Sequence, residues 1–119
     1  MWSSLAAVAA WTESLLGVRT GSYPPADSRG DYAVVNRVGG DTEYPHDNPR
    51  YAIQIWTDSD ENGEQVALAL SRMLPTLAQQ SPRINAVDRN ATITQLGCDE
   101  NGHYVWQVAF DMHCNILDE

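Results

Sequence analysis

The residues able to do chemistry in this chain are few and scattered. His46, His103 and His113, with Cys98 and Cys114, are its proton-transfer and soft-metal candidates. Zinc wants such ligands at short spacings, HxxxH on a helix or CxxC in a turn, and neither occurs. His103 and His113 share one face of a predicted strand but stand ten positions apart, too far for one ion. Asp58, Asp60, Glu61 and Glu64 superficially resemble a calcium loop, without the alternating ligands that end in a bidentate glutamate. At the start of a helix the same acids simply favour the dipole. There is no lysine for a Schiff base or a phosphate anchor, and no glycine-rich loop before a helix. Arg29-Gly30-Asp31 and Asn90-Ala91-Thr92 match an adhesion tripeptide and a glycosylation acceptor, but nothing suggests a secretory route. The expectation is a protein without catalytic residues, cofactor or metal.

Bulk composition narrows the class. A chain of 119 residues with 43% hydrophobic and 19% charged residues has a globular composition, read as a single domain over residues 1–119. Sixteen acidic residues against seven basic ones, all arginine, give a net charge of −9. Such a surface excludes groove-type DNA binding, which needs phosphates neutralised by cations. It suits a wall past which DNA slides without sticking, and equally a surface that is merely soluble. The apolar opening MWSSLAAVAAW is preceded by no positive charge and is too short to span a bilayer, so no membrane association is expected. The protein is expected to be soluble and made in the cytoplasm.

The elements that must position these residues follow from periodicity. Ser3 or Ser4 caps a helix reaching about Leu16, with Gly17 as its stop. Leu5, Val8, Ala9, Thr12, Leu15 and Leu16 form its apolar stripe, and Trp2 and Trp11 fall off it. Those tryptophans either widen the buried face or stay exposed for a partner. Residues 18–30, with two glycines and Pro24-Pro25, read as a loop. A Val-rich strand over residues 32–38 ends at Gly39-Gly40, residues 41–49 read as a long polar hairpin loop, and residues 51–56 as the return strand. Ser59 or Asp60 caps a second helix whose stripe is Val66, Ala67, Leu70, Met73, Leu74 and Leu77. Pro75 must end or kink it, and a last irregular turn reaches about Gln80.

The chain closes in a long hairpin. Tyr104, Trp106, Val108, Phe110, Met112 and Cys114 alternate with more polar residues, the pattern of a strand buried on one face. A loop over Glu100, Asn101 and Gly102 pairs Cys98 with Tyr104 and Leu96 with Trp106, joining apolar to apolar. The first arm, from about Ile84 to Cys98, is broken near Asp88-Arg89-Asn90. In this register Cys114 lies beside Asp88, on the order of 33 Å from Cys98, so both thiols are expected free and mostly buried. The fold class is α+β: a mainly antiparallel sheet, two helices packed on one face, and a long terminal β-hairpin.

That order of elements resembles the tail terminator and tail completion proteins of long-tailed (siphovirus-type) bacteriophages. The resemblance runs through the short first helix, the Pro-rich loop, DYAVVNRVGGDT, YAIQIWTDSD leading into ENGEQVALALSRML, and the terminal strand HYVWQVAFDMHCNI, roughly residues 3–116. Each piece is generic, and the likeness lies in order and spacing. It implies a virion structural protein at the head-proximal end of the tail, a homo-oligomeric ring (a hexamer) that caps the tail tube. Its partners would be the tail tube protein and a head-tail connector or stopper protein, with DNA passing through the lumen without specific binding. Loops 18–30 and 41–49 would make the ring contacts, with Trp2, Trp11, Tyr23, Arg37, Tyr44, His46, Asp47 and Arg50 as the interface candidates. One departure stands out: the family often ends in an arginine-bearing strand, and this chain ends in Asn115-Ile116-Leu117-Asp118-Glu119. A connector, stopper or other minor tail protein shares this build. A small ligand-binding module of a bacterial host, its pocket lined by Trp56, Trp106 and Phe110, is the reading from another class.

Overall fold

The computed structural model describes residues 1–27 and 29–117; Ser28, Asp118 and Glu119 lie outside the described residues. The chain is α+β. Helix α1 (Ser4–Leu16) opens it, with the Ser3 hydroxyl accepting from the Ala6 N–H and Gly17 closing it in the left-handed region. Strands β1 (Arg19–Gly21), β2 (Tyr32–Glu43) and β3 (His46–Thr57) follow. Helix α2 (Asp60–Arg72) is capped by Ser59, whose hydroxyl accepts from the Asn62 N–H. Pro75 splits the predicted second helix: α2 ends at Arg72, a short α3 (Leu74–Leu77) restarts beyond Met73, and a tight turn runs over Ala78–Gln80. Strands β4 (Ile84–Val87), β5 (Thr92–Cys98) and β6 (Tyr104–Asn115) complete the chain.

The sheet order is β1-β2-β3-β6-β4, antiparallel except where β1 lies parallel to β2. With β3 on one side of β6, the opposite edge is shared: β5 pairs with its first half and β4 with its last residues. This is the broken first arm expected from the sequence. Val35, Ile53 and Val108 are directly opposed in the ladder and therefore share a face. They join one core cluster with Tyr51, Phe110 and Met112 from the sheet and with Val8, Trp11, Ala67, Leu70, Leu74 and Leu77 from the helices. Each large apolar side chain buried there stabilises the fold by about 1.5–3 kcal/mol.

Several expectations are corrected. Residues 41–49 are not a loop. The β2–β3 ladder runs on to Glu43 opposite His46, leaving only Tyr44-Pro45, joined by a cis peptide, as the turn. Gly39-Gly40 does not end the strand; both stay in the ladder, opposite Arg50 and Pro49, just after a bulge at Val38 where the register shifts between Arg37 and Gly39. Gly40 has φ 98°, and a Cβ there would come 2.0 Å from the Asn48 carbonyl oxygen. Pro49, read as a loop signal, falls in a gap of the β3–β6 pairing, where its missing N–H leaves no bond unmade. Residues 18–30 are likewise not all loop, because Arg19–Gly21 adds as β1.

Trp11 is 2% exposed and part of the core, whereas Leu15, assigned to the stripe, is 40% exposed. The first helix is apolar nearly all round, so periodicity alone could not choose its buried face. Met73, also assigned to a stripe, is exposed. In the terminal hairpin Cys98 does pair with Tyr104, but a bulge between Gln95 and Gly97 ejects Leu96 and sets Gln95 opposite Trp106. A second shift in β4 leaves Ile84, not Asp88, beside Cys114. Both cysteines are free, as expected; Cys114 is buried and Cys98 is exposed.

Candidate functional site

Four of the eight interface candidates converge. Trp2, Arg37, Tyr44 and Asp47 line one cleft of about 530 Å³, together with Met1, Ser3, Ser4, Leu5, Tyr51 and Ile116. The cleft lies where the N-terminus of α1 meets the base of the β2–β3 hairpin. Its floor is set by the fold: Tyr51 sits opposite Phe110 in the ladder, and its hydroxyl meets the Ser4 hydroxyl at 2.5 Å. Burial pushes the Tyr51 phenol above its ordinary range.

The electrostatic centre is a forked ion pair. Arg37 Nη1 donates to Asp47 Oδ2 at 2.9 Å and Nη2 to Oδ1 at 2.7 Å. Asp47 is 6% exposed, while the Arg37 side chain keeps 39% of its surface in solvent. Hydrogen bonding from Arg37 holds the Asp47 carboxyl below the usual range against the opposing effect of burial. Behind the pair, Cys114 is the ladder neighbour of Asp47. Burial first, then the Asp47 charge, push its thiol up to about 11, so it is a protonated thiol at neutral pH. The cleft therefore offers aromatic and aliphatic surface around an already satisfied ion pair. It suits a docked side chain or chain segment.

The other candidates lie elsewhere. Trp11 is interior, its indole N–H donating to the Thr76 hydroxyl at 2.9 Å, and cannot meet a partner. Tyr23 is 83% exposed in the segment after β1. His46 is exposed beside the hairpin turn, opposite Glu43 and Asn115. Arg50 belongs to the opposite sheet face and donates to both oxygens of Asp111 at 3.2 Å.

A second cluster, unmarked in the sequence reading, occupies the far end of the sheet. His103 is 7% exposed. It lies edge-on to Tyr32 and Trp56, which stack on each other with ring centroids 5.1 Å apart. The signal available in the sequence was Asp99, four positions before His103 across a Gly-containing turn, where aspartate caps by accepting backbone N–H groups. The acidic run at the start of α2 finds ordinary employment, with Asp60 accepting from the Trp106 indole at 3.0 Å. Gly63 makes that approach possible, since a Cβ there would come 2.5 Å from the Trp106 ring.

Trp56, Trp106 and Phe110 do not line one pocket. Ile55 opposes Trp106 while Trp56 opposes Val105, which puts the two tryptophans on opposite faces, and Phe110 is fully buried. Among the described residues no group of three or more His, Cys, Asp or Glu is placed to hold a metal ion, and no helix is long and apolar enough to cross a membrane. No protein-family model matches this chain, and no curated protein matches it.

Proposed function

We propose that this chain is a virion assembly protein of the tail terminator type, a ring-forming subunit that caps a phage tail tube and presents a surface for head joining. The observation that carries this reading is the distal half of the β2–β3 hairpin. From Arg37 to Tyr44 every residue is exposed, although the ladder resumes after the bulge and runs on to Glu43 opposite His46. This is an ordered edge of the sheet, with β3 behind it paired to β6 as far as His46, and it exposes Val38 at 54% and Tyr44 at 60%. Ordering such an arm in advance reduces the entropy lost when it meets a neighbour.

The mechanism is geometric. In a closed ring each subunit uses two different patches, one for each neighbour, so the arm of one copy needs a receptor elsewhere on the next. The cleft of Trp2, Arg37, Tyr44 and Asp47 at the arm's base belongs to the same contact region. A ring that mates with the tube on one side, and offers no second copy of that mating surface, stops further growth. The net charge of −9 fits a lumen past which DNA moves without adhering.

The test is electron microscopy of tails assembled without this protein. Overlong tubes are the expected result. Tails of normal length that fail to join heads would assign the chain to the connector instead, and normal virions would remove it from tail assembly altogether. A Val38→Asp variant, altered at one exposed and unpaired position of the arm, should fold normally yet give the same overlong tubes.

A further inference from the structure

The far end of the sheet carries a second feature, distinct from the β2–β3 hairpin. The segment between β1 and β2 returns to the sheet at Arg29-Gly30-Asp31, and two side chains grip consecutive carbonyls there: the Arg19 guanidinium donates to the Arg29 carbonyl, and His103 Nε2 lies 2.9 Å from the Gly30 carbonyl. The other ring nitrogen of His103, Nδ1, lies 3.3 Å from Asp99 Oδ2. A carbonyl and a carboxylate both only accept hydrogen bonds. Neutral imidazole has one N–H and satisfies one of them, whereas imidazolium has two and satisfies both. Asp99 is itself prepared for this role: its Oδ1 accepts from the backbone N–H groups of His103 at 2.8 Å and Asn101 at 3.0 Å, leaving Oδ2 for the ring.

We infer that His103 is a proton-operated latch, which as imidazolium holds the Gly30 carbonyl and the β5–β6 turn together and on losing its proton releases one of the two. Every element packed around the ring contributes to its surroundings. Asp99 comes from the turn, Tyr32 from β2 and Trp56 from β3. Asp27, Arg29 and Asp31 from the segment itself, with Asp58 after β3, line the same cleft of about 590 Å³. Desolvation opposes ionisation of Asp99, but the backbone N–H groups of His103 and Asn101, with the His103 ring, outweigh it and hold its carboxyl below the usual range. Gain of a second ring proton therefore closes the latch onto a carboxylate, and its loss opens the latch. The latch walls the cleft, so its release changes the shape of that end of the molecule.

Hydrogen exchange of the intact protein between about pH 5.5 and pH 8.5, corrected for intrinsic rates, tests this. The bonded amides at the two ends of the latch, Arg29 on Asp27 and Asn101 and His103 on Asp99, should lose about tenfold in protection toward the alkaline end, the scale of one charge-assisted hydrogen bond, while β6 amides hold theirs. His103→Gln, which cannot gain a second donor there by protonation, should flatten the profile. Asp99→Asn puts an amide donor opposite Nδ1, suits the neutral ring, and should flatten or invert it. A flat profile in the native protein, or an unchanged slope in both variants, overturns the proposal.

Discussion

The two ends of the β3–β6 ladder each set a carboxylate against a cation, and they are built differently. At the arm end, Asp47 is fastened to Arg37, a guanidinium that stays charged at every accessible pH, by two short parallel bonds. At the turn end, Asp99 faces His103, whose charge is conditional. One pair is a permanent rivet across the β2–β3 hairpin. The other can let go. The difference lies in the residue types more than in burial, since Asp47 and His103 are both largely hidden, at 6% and 7% exposure.

The comparison breaks first at Gly40. Adding a Cβ where the backbone has φ 98° and the Asn48 carbonyl oxygen is 2.0 Å away forces the two strands of the arm apart. Gly40→Ala should cost about 3 kcal/mol, read as a lower denaturation midpoint at constant m-value. If the arm were loosely held, the substitution would instead be close to neutral.

The thiols sharpen the same contrast. Cys114, beside Asp47, is buried with its thiol pushed up to about 11, whereas Cys98, opposite Tyr104 at the other end, is exposed. Mass-spectrometric alkylation of the native protein near neutral pH should label Cys98 while Cys114 reacts at least about a hundredfold more slowly. Equal labelling would mean that the root of the arm opens readily.

The smallest of the three effects is the acid limb of stability. The Asp47 carboxyl titrates lower in the folded protein than in the unfolded chain. Its contribution is therefore complete above the unfolded carboxylate value and is lost as pH falls through the folded one. Asp47→Asn should lower stability near neutral pH by about 1–2 kcal/mol, modest because Arg37 remains partly in solvent, and should flatten the decline toward acid. An acid limb as steep as that of the native protein would show that other carboxyls govern it.

Much of this molecule was legible as local pattern. The Ser3 cap, the Gly17 stop, the Ser59 cap, the break at Pro75 and the alternation of β6 are each decided within a few residues by hydrogen bonding or sterics, so the chain announces them. The pairing of Cys98 with Tyr104 was legible for the same reason, being a turn away. Other features needed the third dimension. Gly39-Gly40 and Pro49 read as loop signals, yet all three are paired residues of the β2–β3 ladder, with the bulge at Val38 and the β3–β6 pairing interrupted at Pro49. Leu96 matched Trp106 in apolar character, yet the bulge at Gly97 moved it to solvent.

The sequence alone determined the kinds of element, their order, the strongly acidic balance and the scarcity of closely spaced reactive side chains, because these depend on composition and near neighbours. Tertiary structure decided which tryptophan of the first helix is core, that residues 41–49 are a paired arm, and that His103 is enclosed between two acceptors. Those outcomes depend on groups distant in the chain, Trp11 with Thr76, Arg37 with Asp47, and His103 with Gly30, brought together only when the sheet forms. Periodicity reports a residue's own element, and it carries no information about what the rest of the chain will place against it.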